Sequence, residues 1–456
     1  VRTVAVCADV GSTFTKVAAV DLQRGELVAT ATHPTTVDSD VLCGLDAAVA
    51  EALGLAGASA SSVDVCSSAG GGLRLAVVGY ETLVTAEAGH RVGLSAGARV
   101  VHVAGGPLDP GGLRALREAR PDVILLVGGT DGGDTDVLRH NAARLAQARL
   151  RVPVVLAGNA DAREEARTQL STMGTSVVAT ENVLPRIGVL NPQPARAAIR
   201  EVFLRHVIGG KGLSRGPRFA SLVRGATPDI VLTAVELIAD VLDGDLAVVD
   251  VGGATTDVYS VLSPDPQASP VAEVAGTMWR SRSVEGDLGL RWSAPTVVAA
   301  AVAERLCDGA TLSEPAARRA ADPAMLPGSD DERAADTELA TIAATVALRR
   351  HARGESNVDS QRRTGRKDLS RLRLLVGSGG VLRHAPPASA ERVLRTLLAD
   401  RAGGWPLPTH ARTVVDTRYL LAPIGLLAQQ HREAAVALAR QLIGSAPAAS
   451  QHPGRW

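Results

Sequence analysis

The strongest constraint on this chain is a short pattern that it carries twice. Asp9-Val-Gly-Ser-Thr-Phe-Thr-Lys16 and Asp250-Val-Gly-Gly-Ala-Thr-Thr-Asp257 each place an aspartate at the end of an apolar run. Glycine follows, then hydroxyl residues that open a second apolar run. Both stretches predict a strand–turn–strand unit. A phosphate chain needs backbone N–H groups at close range, and glycine permits that approach. Ser and Thr hydroxyls add donors, and a neighbouring aspartate can hold Mg2+ through the ion's waters. One such turn is a common hairpin. Two, far apart and each behind an apolar strand, single out phosphate binding.

A third element supports this. Leu374-Leu-Val-Gly-Ser-Gly-Gly-Val-Leu382 reads as a strand running into a glycine-rich turn and then a helix, a surface that can lie flat against adenine and ribose. It is not a Walker A loop, and it lacks the GxGxxG spacing of a dinucleotide site.

The organisation around these motifs follows from the apolar runs. The chain has 456 residues, enough for two or more domains of roughly 100–200 residues each. Aromatic residues make up 2% and hydrophobic residues 46%. Val, Leu, Ala and Ile must therefore build the cores, which suits buried strands covered by helices. Residues 1–96 form the first part of an N-terminal lobe, with strands at Val4–Val10, Thr15–Val20 and Leu27–Thr32, a helix at Val41–Leu53 and further strands near Val63–Ser67 and Leu73–Val78. Residues 97–190 show βαβ rhythm and read as an inserted parallel-sheet subdomain. Residues 191–242 read as a crossover, rich in Gly, Pro and Arg up to Thr227, followed by a helix at Ile230–Leu242. Residues 243–444 form a C-terminal lobe closed by one long helix, Ile424–Leu442. Gly354–Lys367 reads as an exposed loop, and 445–456 as a frayed tail.

The order of phosphate-1 hairpin, phosphate-2 hairpin and adenosine turn resembles the actin/Hsp70/sugar-kinase ATPase superfamily. That resemblance spans nearly the whole chain outside 97–190. It implies an α/β fold with duplicated ribonuclease H-like lobes that close on Mg-ATP. Ile230–Leu242 and Ile424–Leu438 resemble its two connecting helices, and Glu285-Gly-Asp-Leu-Gly289 resembles the turn after phosphate-2 in chaperone-type members. By the same resemblance, Asp9 and Asp250 position Mg2+ and its waters. Ser12, Thr13 and Lys16 hold the β- and γ-phosphates with Gly252, Gly253, Thr255 and Thr256. Gly11, Thr15 and Asp257 join these nucleotide-binding residues, and Gly377, Gly379 and Gly380 pack on the nucleoside. Hsp70-type members carry a water-orienting Glu near the first connecting helix. Here that stretch is Ala226-Thr-Pro-Asp229, with Glu236 further on; neither carboxylate falls into the motif, and slow hydrolysis is expected.

Within the superfamily the wording is similar to the glutamate mutase L (MutL) family. It is carried by the two hairpins, by Leu126-Val-Gly-Gly-Thr-Asp-Gly-Gly133 and by Val284-Glu-Gly-Asp-Leu-Gly-Leu-Arg291. The resemblance implies an ATP-dependent accessory protein that reactivates an adenosylcobalamin-dependent mutase of the glutamate/methylaspartate type, with mutase subunits as partners. A small-molecule kinase, with Asp287 as base, is the alternative. An actin-type filament or scaffold is a third class.

Other functions find little support. Lys+Arg and Asp+Glu balance at 48 each, so no global field favours nucleic acid or an acidic membrane. Cys7, Cys43, Cys66 and Cys307 form no CxxC pair, and the histidines no HxxxH or HExxH spacing. No apolar run approaches the ~20 residues of a membrane span, and the opening run Val1–Val10 reads as a strand. The expectation is a reduced, soluble cytoplasmic protein. Ser68 and Ser378 lie outside any GxSxG elbow. Arg362–Lys367 is basic but has no interleaved aromatics to stack bases. The Gly128–Gly133 loop reads either as a second ligand site at a strand end or as a plain βα turn with Asp134 capping the next helix.

Overall fold

The computed structural model describes residues 2–81, 84–263, 280–356, 363–364 and 366–444. The expected tail and part of the Gly354–Lys367 loop lie outside these. The described chain divides into two compact units: residues 2–22 with 27–232, and residues 23–26 with 233–263 and 282–444.

The first unit opens with β1 (Arg2–Val10), β2 (Phe14–Asp21), β3 (Glu26–Pro34), α1 (Val41–Ala56) and β4 (Ala58–Ser67). β1 is apolar without alternation and is buried from Val4 onward, as a central strand covered on both faces must be. Asp40 caps α1 by accepting from Leu42 N at 2.9 Å, and Gly57 ends it in the left-handed conformation, φ 56°.

The chain then builds a second sheet through β5 (Leu73–Gly79), α2 (Thr85–Ser95), β6 (Ala98–Gly105), α3 (Pro110–Glu118), β7 (Val123–Leu126), α4 (Asp136–Ala148), β8 (Val154–Leu156), α5 (Ala160–Thr172) and β9 (Val177–Ala179). Its order is β6-β5-β7-β8-β9, and every pairing is parallel. The expected 97–190 subdomain supplies four of these strands. The inner strand β5 and helix α2 precede it, because an apolar run such as Leu73–Val78 carries no mark of which sheet it joins. One face packs α3, α4 and α5 in a cluster of its own, with Leu116, Leu138 and Leu156. The other face, through Val77, Ala88 and Val92, joins the cluster that contains Val6, Val41 and Val65.

α6 (Pro192–Val202) runs into a π-helical turn at Phe203–Val207, and α7 (Pro217–Leu222) leads into β10 (Val223–Ala226) and α8 (Thr227–Leu242). The expected crossover is thus largely helical and contains a strand. β10 returns to pair parallel with β4, giving the order β10-β4-β1-β2-β3.

The second unit repeats that plan. It contains β11 (Leu246–Val251), β12 (Thr256–Val261), β13 (Arg280–Glu285), α9 (Ala294–Ala303), α10 (Ser313–Ala321), α11 (Asp330–Arg353), the two-residue strands β14 (Glu355–Ser356) and β15 (Arg363–Thr364), β16 (Leu374–Ser378), α12 (Gly380–His384), α13 (Pro387–Ala399), β17 (Arg412–Val415), α14 (Leu421–Leu427) and α15 (Arg432–Gly444). The sheet order is β13-β12-β11-β16-β17. In both units the first strand pairs antiparallel with the second and parallel with the fourth, and the fourth pairs parallel with the fifth. This is the α/β fold with duplicated lobes that the two hairpins foretold.

The expected helix Ile424–Leu442 is two helices. α14 is wholly buried, Gln429 and Gln430 are exposed, and α15 is amphipathic. Neither Gly nor Pro marks the break, so the apolar spacing reads straight through it. The short pair β14–β15 stands in the expected loop.

α11 holds the second core together. Ser329 caps it by accepting from Glu332 N, Glu332 Oε2 accepts from Gly328 N at 2.6 Å, and acids and bases sit at the ends that the helix dipole favours. Near its end, His351 is 1% exposed, with Nε2 2.8 Å from Ser260 Oγ on β12 and Nδ1 2.8 Å from Ser283 Oγ on β13. Burial first, then the Lys367 charge, pushes its pKa well below the ordinary value of 6.5. The folded ring stays neutral where the unfolded one takes up a proton, so its contribution is lost as pH falls below about 6.5. Thermal denaturation followed from pH 7.5 to 5.5 should show the wild type losing stability, with a shallower slope in His351→Gln; equal slopes would contradict this.

Candidate functional site

Both repeated motifs form the same hairpin. In the first unit, Gly11 N donates to Phe14 O at 3.2 Å; in the second, Gly252 N donates to Thr255 O at 2.9 Å. The two-residue loops are Ser12-Thr13 and Gly253-Ala254. A Cβ on Gly11 would stand 2.9 Å from Phe14 O, and one on Gly252 2.8 Å from Thr255 O, so the turns close only on glycine. The aspartates hold the same register, Asp9 opposite Lys16 and Asp250 opposite Asp257.

Asp9 is 3% exposed, and groups from three other segments surround its carboxylate. Lys16 Nζ lies 3.3 Å from Oδ2. Thr227 Oγ1 donates to Oδ1 at 2.6 Å, and Cys66 Sγ donates to the same oxygen at 3.7 Å. Burial and then the Asp9 charge push the Cys66 thiol well up, so it stays protonated. Ser12 is exposed and Thr13 half-buried at the turn. Thr15 is turned inward, fully buried, its hydroxyl 2.9 Å from Thr35 Oγ1.

In the second unit, Gly289 seats the Glu285–Gly289 turn against the hairpin. Leu290 N donates to Gly252 O at 3.0 Å and Arg291 N to Gly253 O at 2.8 Å. Thr256 is buried and donates to Leu288 O at 2.7 Å. Asp257 is held by Arg282, Nη2 to Oδ1 at 2.6 Å, and by the Thr255 hydroxyl at 2.9 Å. Behind the loop, Arg291 makes a two-pronged pair with Asp336 at 3.1 and 2.9 Å, and buried Arg319 binds the same carboxylate at 2.5 Å.

The third motif reaches the same place. Ser378 ends β16 opposite Asp250. Gly379 has φ +104°, and a Cβ on it would overlap the Val251 carbonyl. Gly380 opens α12 into clear space, whereas Gly377 faces Leu382 and Leu394 in the core. Asp250, Gly252, Gly253, Thr255, Gly379 and Gly380 are thus assembled at one end of the second unit's sheet, β13-β12-β11-β16-β17.

Other acids near these loops serve the fold. Asp229 is 1% exposed, with Oδ1 bonded to Arg196 Nε at 2.7 Å and Oδ2 to Arg200 Nε at 2.5 Å. Arg350 Nη1 binds Asp287 at 2.8 and 2.9 Å and Glu285 at 2.7 Å. The Gly128–Gly133 loop is stapled internally. Asp131 Oδ1 accepts from Ala160 N and Asn182 Nδ2 at 2.9 Å, Asn159 Nδ2 donates to Gly133 O and Asp134 O at 3.1 Å, and Asp134 Oδ1, one residue before the N-cap Thr135, accepts from Asp136 N at 3.1 Å. Sequence reasoning missed Thr227, Cys66, Arg282 and the Arg291–Asp336–Arg319 group. Pro228 just inside α8 marks a helix start, but nothing local shows that Thr227 reaches Asp9.

Two lobes of one strand order, each with an aspartate–glycine hairpin at its centre and a glycine turn beside the second, are the arrangement that the resemblance to the actin/Hsp70/sugar-kinase class implied. The chain belongs to the MutL protein family, whose model matches residues 5–443. Protein MutL of Clostridium tetanomorphum is 34% identical over 95% of this chain and 98% of its own length. Among solved structures, the nucleotide-free acetone carboxylase aligns over 94% of this chain and 70% of its own (TM-score 0.40, 14% identity). Xylulose kinase from Bifidobacterium adolescentis aligns over 98% and 94% (TM-score 0.34, 13% identity). Component A of the Acidaminococcus fermentans (R)-2-hydroxyglutaryl-CoA dehydratase aligns over 97% and 99% (TM-score 0.29, 9% identity). These three likenesses are too distant to bear on activity.

The turn at Gly289 is testable. Its Cβ would overlap the Ala254 carbonyl and lie 2.7 Å from Gly253 O, whereas nothing stands within 4 Å of a Cβ on Gly286. Gly289→Ala should destabilise by about 1–3 kcal/mol in urea denaturation, with Gly286→Ala near the wild type.

Proposed function

We propose that the chain binds ATP with Mg2+, hydrolyses it slowly, and serves in the cytoplasm as an accessory, reactivase-like protein for an adenosylcobalamin-dependent mutase of the glutamate/methylaspartate type. The observation that carries the nucleotide reading is the repeated hairpin, closed at Gly11 and at Gly252 with an aspartate in the same register. The mutase partnership rests on family membership.

In this reading each hairpin offers phosphate contacts of its own, Ser12, Thr13 and Lys16 in the first unit and Gly252, Gly253 and Thr255 in the second, and Gly379 and Gly380 of the second unit lie against the nucleoside. Lys16 exchanges its contact with Asp9 for a phosphate oxygen. The buried hydroxyls of Thr15 and Thr256, the core-facing Gly377 and the arginine-bound Asp257 shape the loops from behind. Carboxylate oxygens suit Mg2+, which would neutralise phosphate charge. No three or more His, Cys, Asp or Glu gather into a metal site among the described residues. Asp9 in the first unit and Asp250 in the second are each a single carboxylate suited to hold the ion's waters, as Mg2+ prefers. Among the described residues no helix is long and apolar enough to cross a membrane.

Slow turnover follows from the acids near the loops. Asp229 gives both oxygens to arginines, and Asp287 gives both to Arg350, which argues against Asp287 as the base of a small-molecule kinase.

Isothermal titration of ATP with Mg2+ should show binding to the wild type and at least about tenfold weaker binding to Asp250→Ala and Asp9→Ala. Absence of binding to the wild type would remove the nucleotide reading. Purified mutase subunits should be retained by the immobilised protein to different extents with ATP and ADP, as linkage requires; equal retention would remove the coupling.

A further inference from the structure

Asp9 is the more deeply buried of the two repeated aspartates, and its two oxygens are held differently. Oδ2 faces Lys16, a flexible side chain about a third exposed, at 3.3 Å. Oδ1 is bonded at 2.6 Å by the hydroxyl of Thr227. Thr227 has little freedom to leave. It is the first residue of α8, it follows Ala226, which pairs with Ser67 at the end of β10, and Pro228 fixes the backbone after it. The Cys66 thiol approaches the same oxygen from β4 at 3.7 Å. One carboxylate oxygen is therefore saturated by fixed donors, while the other has a partner that can swing away.

We infer that Thr227 is a positioning residue for Mg-nucleotide: its hydroxyl locks the Asp9 carboxylate so that Oδ2 is presented to the hydrated ion when Lys16 moves to phosphate. This rests on the ATP reading above. α8 brings a hydroxyl rather than an acid to this point, because the carboxylate of Asp229 two residues later is turned to Arg196 and Arg200. A threonine hydroxyl has one proton to give and gives it to Asp9, so it orients the ion's ligand without abstracting a proton from water. A charge-assisted bond of this length is among the stronger ones in a folded chain, and its loss leaves a buried carboxylate oxygen poorly satisfied.

The test is a Mg2+ titration at fixed ATP, comparing the wild type with Thr227→Val and Thr227→Ser, each with its melting temperature. Thr227→Val keeps the shape and loses the donor, and should raise the Mg2+ concentration for half-maximal ATP binding about tenfold while leaving metal-free ATP binding near the wild type. Thr227→Ser should restore the wild-type Mg2+ requirement. A purely structural role predicts a lower melting temperature with the Mg2+ requirement unchanged, and that result overturns the proposal while leaving the ATP reading intact. Equal weakening with and without Mg2+ also overturns it. A wild type that binds no ATP overturns both.

Discussion

Everything at the two hairpins depends on backbone approaching backbone without a side chain in the way. At Gly11 and Gly252 the first N–H of the turn closes onto the carbonyl three residues on, at a distance that a Cβ would obstruct. The same requirement recurs where Gly289 meets Ala254 and where Gly379 meets Val251. These four contacts fix where the loops can lie, and the aspartates at the ends of β1 and β11 inherit their positions from them. Side chains added elsewhere in the sheets alter packing; added here they move the loops themselves.

Arginine does the complementary work. Asp229, Asp257, Asp287 and Asp336 all lie near the loops, and each is engaged by one or two guanidinium groups. Planar, permanently charged guanidinium suits such fixed two-pronged contacts. Lysine, which the chain uses at only three positions, supplies the flexible partner beside Asp9 as Lys16 and pairs with Asp122 as Lys211. Four acids near the loops are thus tied to the fold by arginine, while Asp9 is met by a lysine, a threonine and a cysteine.

What could be read from sequence follows from the same physics. Glycine requirements leave a trace in residue type, so the duplicated hairpins, the Gly379 turn and the duplicated-lobe fold were legible, and Asp9 and Lys16 are indeed in contact. Long-range register leaves no such trace. β10 is four residues long, and its pairing with β4 brings Thr227 to Asp9 across most of the first unit. The inclusion of β5 in the second sheet and the break between α14 and α15 were hidden for a similar reason, since apolar spacing reports burial but not partner. Thr15, Thr256 and Gly377 stand within the right motifs yet face inward, because alternation along a strand sends neighbouring residues to opposite sides.

The placement of the second sheet between β4 and β10 has a consequence for biosynthesis. β10 borders β4, yet residues 68–222 are made between them. A chain emerging from the ribosome therefore carries β1 to β4 with one flank of β4 uncovered until the whole second sheet and two further helices have followed. Sequence-distant pairing of this kind is slow, and an unpaired strand flank can recruit other chains. Between the synthesis of Ser67 and that of Val223 this flank of β4 lacks the strand that covers it in the finished fold.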